Sequence, residues 1–213
     1  LKFVDIDLLK KYPKMVCGYS DNTLLLLTLY DKERMVVFHG PHLISGLQSE
    51  VTREYFNKIF SKDEYPLEIQ SESMSCWKHG KVSGKIWGGS LSIILEYLRF
   101  NKEAGFEDKI LFVEEAYEPA EDVITLLHRL ARTGVYKKIK GIIFGRFWFG
   151  VSHDNLPEIK QVLLEHLKEI DIPILYGFRS GHGHDKITIP FGTEVTLDAT
   201  NKRVVYEEYP FKE

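Results

Sequence analysis

The sequence predicts an α/β protein with two subdomains, and three observations predict it. Unbroken apolar runs at residues 110–113, 141–144 and 173–176 alternate with segments of helical periodicity at 121–132 and 156–170. That alternation is the pattern of a parallel sheet with both faces covered by helices. An earlier strand-to-helix unit, residues 15–17 followed by 22–30, belongs to a first subdomain, and the tail, 187–205, has the short alternating stretches of antiparallel strands or a small barrel-like lobe.

The elements follow in order. Residues 7–11 form a short helical turn that Pro13 ends. Met15, Val16 and Cys17 make a short strand that runs into Gly18-Tyr19-Ser20-Asp21, and residues 22–30 read as a buried helix. Residues 35–38 are a second strand, closed by the turn Gly40-Pro41. Val51, Tyr55, Phe56, Ile59 and Phe60 share one face of an amphipathic helix over 51–60. Between 71 and 89 serine, glycine and polar residues dominate around Trp77 and Trp87, which predicts a connection between subdomains. The boundaries are then 1–70 for the first subdomain, 71–89 for the linker and 90–213 for the second domain, which Gly88-Gly89 and a helix over 90–100 open. Val123, Leu126, Leu127 and Leu130 point inward from the helix at 121–132, and Leu163, Leu167 and Ile170 from the next.

The 213 residues are 44% hydrophobic and 28% charged, an ordinary globular composition that excludes a disordered chain. A net charge of −3 argues against a nucleic-acid binder, and the longest apolar stretch, around 24–29, is too short to span a membrane. Two cysteines far apart, Cys17 and Cys76, predict free thiols and a reducing compartment. The chain begins at Leu1, in what reads as a linker before a strand, so an N-terminal segment is expected to precede it.

Three residues stand out chemically. At Gly18-Tyr19-Ser20-Asp21 a strand turns sharply into a helix with a serine at the corner, which lifts the hydroxyl out of the backbone and leaves the Asp21 N–H free to serve an oxyanion. The competing reading is that Ser20 or Asp21 is a helix N-cap. His182, between Gly181 and Gly183 just past a parallel strand, stands where such sheets bind ligands and can act as the base. Glu114 ends a buried apolar strand, a position that is costly for a carboxylate without a partner. Glu115 and Glu118 read instead as helix-entry or salt-bridging residues, and His39, His42, His79, His128, His153 and His166 have weaker claims than His182. A metal site on His182, His184 and Asp185 is a further alternative, with poor spacing for it.

The order of these pieces resembles the LD-carboxypeptidase family of serine peptidases, which includes the microcin C self-immunity proteins. The resemblance runs through Pro13-Lys14, Gly18 to Thr23, His39-Gly40-Pro41, Gly88-Gly89-Ser90-Leu91, Ile110 to Glu115, Gly141 to Phe147, Gly181-His182 and Ile189-Pro190-Phe191-Gly192. It implies a partial flavodoxin-like N-terminal subdomain and a C-terminal α/β domain with parallel strands and a small antiparallel β lobe. It implies a Ser-Glu-His triad of Ser20, Glu114 and His182 with the Asp21 N–H in the oxyanion hole, no metal and no organic cofactor. The implied substrate is a small peptide or a peptidyl-nucleotide, cut at an amide next to a terminal residue by a cytoplasmic homodimer. The sequence departs from the family at Ser90, where asparagine is usual, and around residues 121–125, where a tyrosine and an Asp-Arg pair are replaced. An α/β-hydrolase esterase shares the Ser, acid, His order, but its elbow wants glycine where Asn22 stands. A truncated homologue without activity is the remaining alternative.

Overall fold

The computed structural model describes residues 4–12, 14–42, 47–101, 104–148 and 156–211, so Pro13 and His153 lie outside the described residues. The helices are α1 Ile6–Lys11, α2 Thr23–Glu33, α3 Glu50–Ile59, α4 Leu91–Phe100, α5 Ala120–Arg132 and α6 Leu156–His166. Strands β1 Cys17–Gly18, β2 Val37–His39 and β9 Ile189–Phe191 form a small sheet in the order β1-β2-β9, with β1 and β2 parallel. Strands β3 Leu67–Gln70, β4 Ser75–Lys78, β5 Lys81–Ser90, β6 Ile110–Ala116, β7 Gly141–Trp148, β8 Ile174–Gly181, β10 Glu194–Asp198 and β11 Arg203–Tyr206 form the large one. Its order is β3-β11-β10-β5-β6-β7-β8-β4, parallel from β5 to β8 and antiparallel beyond both ends of that block.

The apolar runs explain the centre of the large sheet. Every residue of β6 is buried, as a parallel strand packed on both faces must be. Helix α5 buries Val123, Leu127 and Leu130 at spacings of four and three, with Glu121 and Asp122 at its start and Arg129 and Arg132 at its end, each sign matched to the helix dipole. Leu26, Leu27 and Leu29 of α2 are fully buried, and each contributes roughly 2 kcal/mol.

Segment 71–89 and the tail both contribute to the large sheet. The serine- and glycine-rich stretch 71–89 carries β4 and most of β5 rather than a loose connection. The first half of β5 alternates exposed and inward positions while the second half is buried throughout, so one strand pairs antiparallel with β10 and then parallel with β6. Polar composition is compatible with a strand whose outer face meets water. The tail strands β10 and β11 are antiparallel, as their alternation predicts, and they continue the large sheet beyond β5.

The chain reaches the small sheet again through β9, so the segment after β8 crosses from one sheet to the other. The two lobes also meet at Gly89, whose φ is +136 and where a Cβ would stand 2.5 Å from the Thr23 Cγ2. Glycine there lets the Ser90 N–H donate to the Thr23 hydroxyl at 3.2 Å. Among the described residues no helix is long and apolar enough to cross a membrane.

Candidate active site

The carboxyl ends of the parallel strands in both sheets converge on one seam, and the candidate residues stand there. Ser20 follows β1 and opens a 3-10 turn of residues Ser20–Asn22 that leads into α2. Its φ is +58, a left-handed conformation that a residue with a Cβ adopts only when its surroundings impose it. That is the sharp corner expected of an elbow, and the N-cap reading does not account for it: the Ser20–Asn22 turn has no side-chain cap hydrogen bond. Asp21 lies in the first turn, where backbone N–H groups have no acceptor within the helix. Cys17, three residues earlier, is a poor nucleophile, because burial pushes its thiol up to about 12.

Glu114 is fully buried near the end of β6. Its Oε2 accepts from the His182 ring Nδ1 at 2.7 Å and from the His182 backbone N–H at 3.2 Å. Burial pushes the Glu114 carboxyl up, but the hydrogen bond from His182 and the neighbouring His39 imidazole outweigh it, and its pKa falls from 4.5 to about 2. With Nδ1–H committed to the carboxylate, Nε2 is the nitrogen of His182 left to accept a proton. Gly181 makes the pairing possible: its φ is +100, and a Cβ there would stand 2.7 Å from Glu114 Oε2 and 2.8 Å from Glu114 Cβ. The strand ends are irregular at this point, with register shifts between Val113 and Glu115 and between Phe144 and Arg146. Such irregularities re-aim side chains at sites.

Ser20 reaches this pair through its neighbour. The Tyr19 ring lies 5.0 Å from the His182 ring, edge to face, so the elbow flanks the imidazole. The structure brings Glu114 and His182 into contact and sets Tyr19, the residue before Ser20, against the imidazole, with no hydrogen bond between the Ser20 hydroxyl and His182 among the described residues. Catalytic hydrogen bonds are often long before substrate binds. Tyr117, at a φ of +67, presents its ring 5.7 Å from His182 on the outer side. The loop after His182 is tied to α3: the Ser49 hydroxyl donates to Asp185 at 2.5 Å and accepts from the Thr52 N–H, and Arg179 pairs with Asp185 at 3.3 Å.

Other candidates land elsewhere. Glu115 points to the opposite face of β6 and accepts from the Ser92 N–H at 2.6 Å and the Ala116 N–H at 3.0 Å, so it anchors the start of α4 instead of pairing with a base. His184 is exposed, Asp185 is already engaged, and no cluster of three metal-ligating side chains forms among the described residues. Trp87 is fully buried against Tyr97 and Phe106, and Trp77 stacks on Tyr176 at 4.3 Å.

The sequence undervalued His39. It ends β2 and is buried, with Nε2 3.8 Å from Glu114 Oε1. A cavity of about 170 Å³ opens beside His182, lined also by Arg146, Trp148, Tyr176 and Gly183.

Comparison with known proteins bears on the family and the fold. The family model described as the LD-carboxypeptidase C-terminal domain matches residues 83–197, and that of the LD-carboxypeptidase N-terminal domain matches residues 1–40. A Bacillus subtilis protein named "Probable murein peptide carboxypeptidase" is 27% identical over 210 residues, which cover 96% of this chain and 66% of that protein. The microcin C7 self-immunity protein MccF of Escherichia coli is 26% identical over 242 residues, covering 98% of this chain and 70% of MccF. A solved structure of MccF in complex with glutamyl sulfamoyl guanosine matches with a TM-score of 0.87 at 25% identity, over 99% of this chain and 72% of that one. The muramoyltetrapeptide carboxypeptidase of Oxalobacter formigenes matches with a TM-score of 0.81 at 28% identity, over 99% and 74%. The chain thus spans about two thirds to three quarters of the length of these relatives.

Proposed function

Because the chain belongs to the LD-carboxypeptidase family, we propose that it hydrolyses an amide bond next to a terminal group through Ser20, Glu114 and His182. The observation that carries this is the pair of hydrogen bonds from His182 to the buried Glu114, flanked by Tyr19, whose neighbour Ser20 is held at a φ of +58. Ser20 attacks the scissile carbonyl while His182 Nε2 takes the hydroxyl proton. The tetrahedral oxyanion sits against the Asp21 N–H. His182 then returns the proton to the leaving amine, and the C–N bond breaks to give an acyl-enzyme. Water, deprotonated by the same imidazole, releases the acid. Glu114 stays ionised throughout and stabilises the imidazolium.

A carboxypeptidase substrate carries a terminal carboxylate beside the amide to be cut, and an acyl-sulfamoyl nucleoside carries a sulfonyl group beside its acyl C–N bond. Arg146 suits either. Its stem lies against Gly183, and it lines the cavity next to His182. A guanidinium there binds a planar anion through paired N–H donors. Replacing Arg146 with Met is expected to raise KM roughly 10- to 100-fold with kcat nearly unchanged, as loss of a charge-assisted hydrogen bond in the ground state does. Steady-state kinetics on a cleaved substrate checks it; an unchanged KM removes Arg146 from substrate binding.

The direct test sets a murein tetrapeptide beside an aminoacyl-sulfamoyl nucleotide. We expect release of the terminal amino acid from the first or of the sulfamoyl nucleoside from the second. If neither is cut and a fluorophosphonate leaves Ser20 unmodified, the proposed function is wrong.

A further inference from the structure

The geometry points to His39 as a positioning residue for the acid–base pair, its imidazole holding one oxygen of Glu114 while His182 holds the other. The inference rests on the proposed triad, but its main readout needs no turnover. His39 is 1% exposed, with its ring 5.0 Å from that of Phe112 and 5.8 Å from that of Phe191. Its Nε2 faces Glu114 Oε1 at 3.8 Å. Both atoms are buried and neither has a hydrogen-bond partner among the described residues. A buried donor and a buried acceptor that face each other with nothing else to satisfy them form a hydrogen bond once the gap closes by about half an ångström.

The other ring nitrogen decides the tautomer. His39 Nδ1 lies 3.5 Å from the Ser180 hydroxyl, which is buried too. A hydroxyl that donates to Nδ1 leaves the proton on Nε2, and that tautomer donates to Glu114. The chain of donors is then Ser180 to His39 to Glu114 Oε1, with His182 on Oε2. A carboxylate held at one oxygen can rock about its last bond. Held at both, its plane is fixed, and with it the direction in which His182 Nε2 points. The residues that supply this arrangement come from β2, β6 and β8, so one chain of contacts spans the seam between the sheets.

Charged and titratable groups around the pair come from every neighbouring element. Tyr19 belongs to the elbow, Glu115 and Tyr117 to the end of β6, Arg146 to β7 and Lys186 to the loop after β8. All of them remain when His39 alone is changed, so a shift in His182 reports on His39.

The test compares H39L, which keeps apolar bulk and removes both ring nitrogens, with H39Q, whose amide keeps an N–H near the Nε2 position. Nuclear magnetic resonance follows the titration of the His182 imidazole, and the pH dependence of fluorophosphonate labelling at Ser20 gives its reactivity. In H39L the carboxylate loses a donor and turns more negative charge toward His182. The His182 midpoint is expected to rise by roughly half to one pH unit. Labelling is expected to slow by roughly 10- to 100-fold. H39Q should restore most of both. If H39L does not fold, H39Q and S180A decide, with S180A raising the midpoint less than the loss of the ring would. A His182 midpoint that is the same in the wild type and the substituted proteins overturns the inference. So does an equal loss in H39L and H39Q, which a purely structural role would give. Failure of the wild type to label at Ser20 would count against the proposed nucleophile, while the imidazole titration would still decide the role of His39.

Discussion

Replacing Ser20 with Ala is expected to lower kcat by roughly four to six orders of magnitude, with fluorophosphonate labelling abolished. The size follows from the role. Without the hydroxyl there is no acyl-enzyme, and the oxyanion site and substrate binding are left to assist direct attack by water. Folding should survive the change. Both residues carry a Cβ, so the cost of a φ of +58 is common to them. Ser20 is also half-exposed, so a methyl in its place leaves no cavity in the core. A thermal midpoint within about 2 °C of the wild type is therefore expected. Steady-state rates and intact mass after probe treatment check both points. Retention of more than a tenth of the activity, or a probe adduct of wild-type stoichiometry, would remove Ser20 from the chemistry.

What the sequence made legible follows a physical division. The strands at 110–113 and 141–144 were readable because burial on both faces leaves no alternative to a continuous apolar run, and β6 is indeed buried at every residue. Glu114 was readable for the same reason: a carboxylate at the end of such a run must have a partner, and His182 Nδ1 is 2.7 Å away. Segment 71–89 misled because composition is a poor guide where one face of a strand meets water, and the first half of β5 is such a strand. Glu115, read as a helix-entry residue, is one: it accepts from the backbone N–H groups of Ser92 and Ala116 at the start of α4. His39 was passed over because nothing near it in the sequence marks a partner for it. Its partners, Glu114 and Ser180, lie 75 and 141 positions along the chain, brought together only when the small sheet docks on the large one. The signal available was its place at the end of a buried strand, the same signal that singled out Glu114.

Glu114→Gln is expected to lower kcat by roughly 10³- to 10⁴-fold while KM changes little, because an amide in place of the carboxylate no longer stabilises the imidazolium or enforces the tautomer with Nδ1–H. The same substitution carries a second signature in stability. The Glu114 pKa is held down from 4.5 to about 2 in the folded protein: burial opposes the charge, and His182 and His39 overcome that opposition. A group whose folded pKa is depressed binds fewer protons folded than unfolded, so its stabilisation is complete above about pH 4.5 and is lost as pH falls toward about 2. Over that window the wild type should lose on the order of 3 kcal/mol of unfolding free energy that Glu114→Gln does not lose. Urea unfolding midpoints measured at intervals across the window read the difference directly, and the two curves should converge toward its acid end. Parallel curves would mean that the fold does not hold the Glu114 carboxyl below its ordinary pKa. A kcat within tenfold of the wild type would separately remove Glu114 from stabilising the imidazolium that the reaction requires.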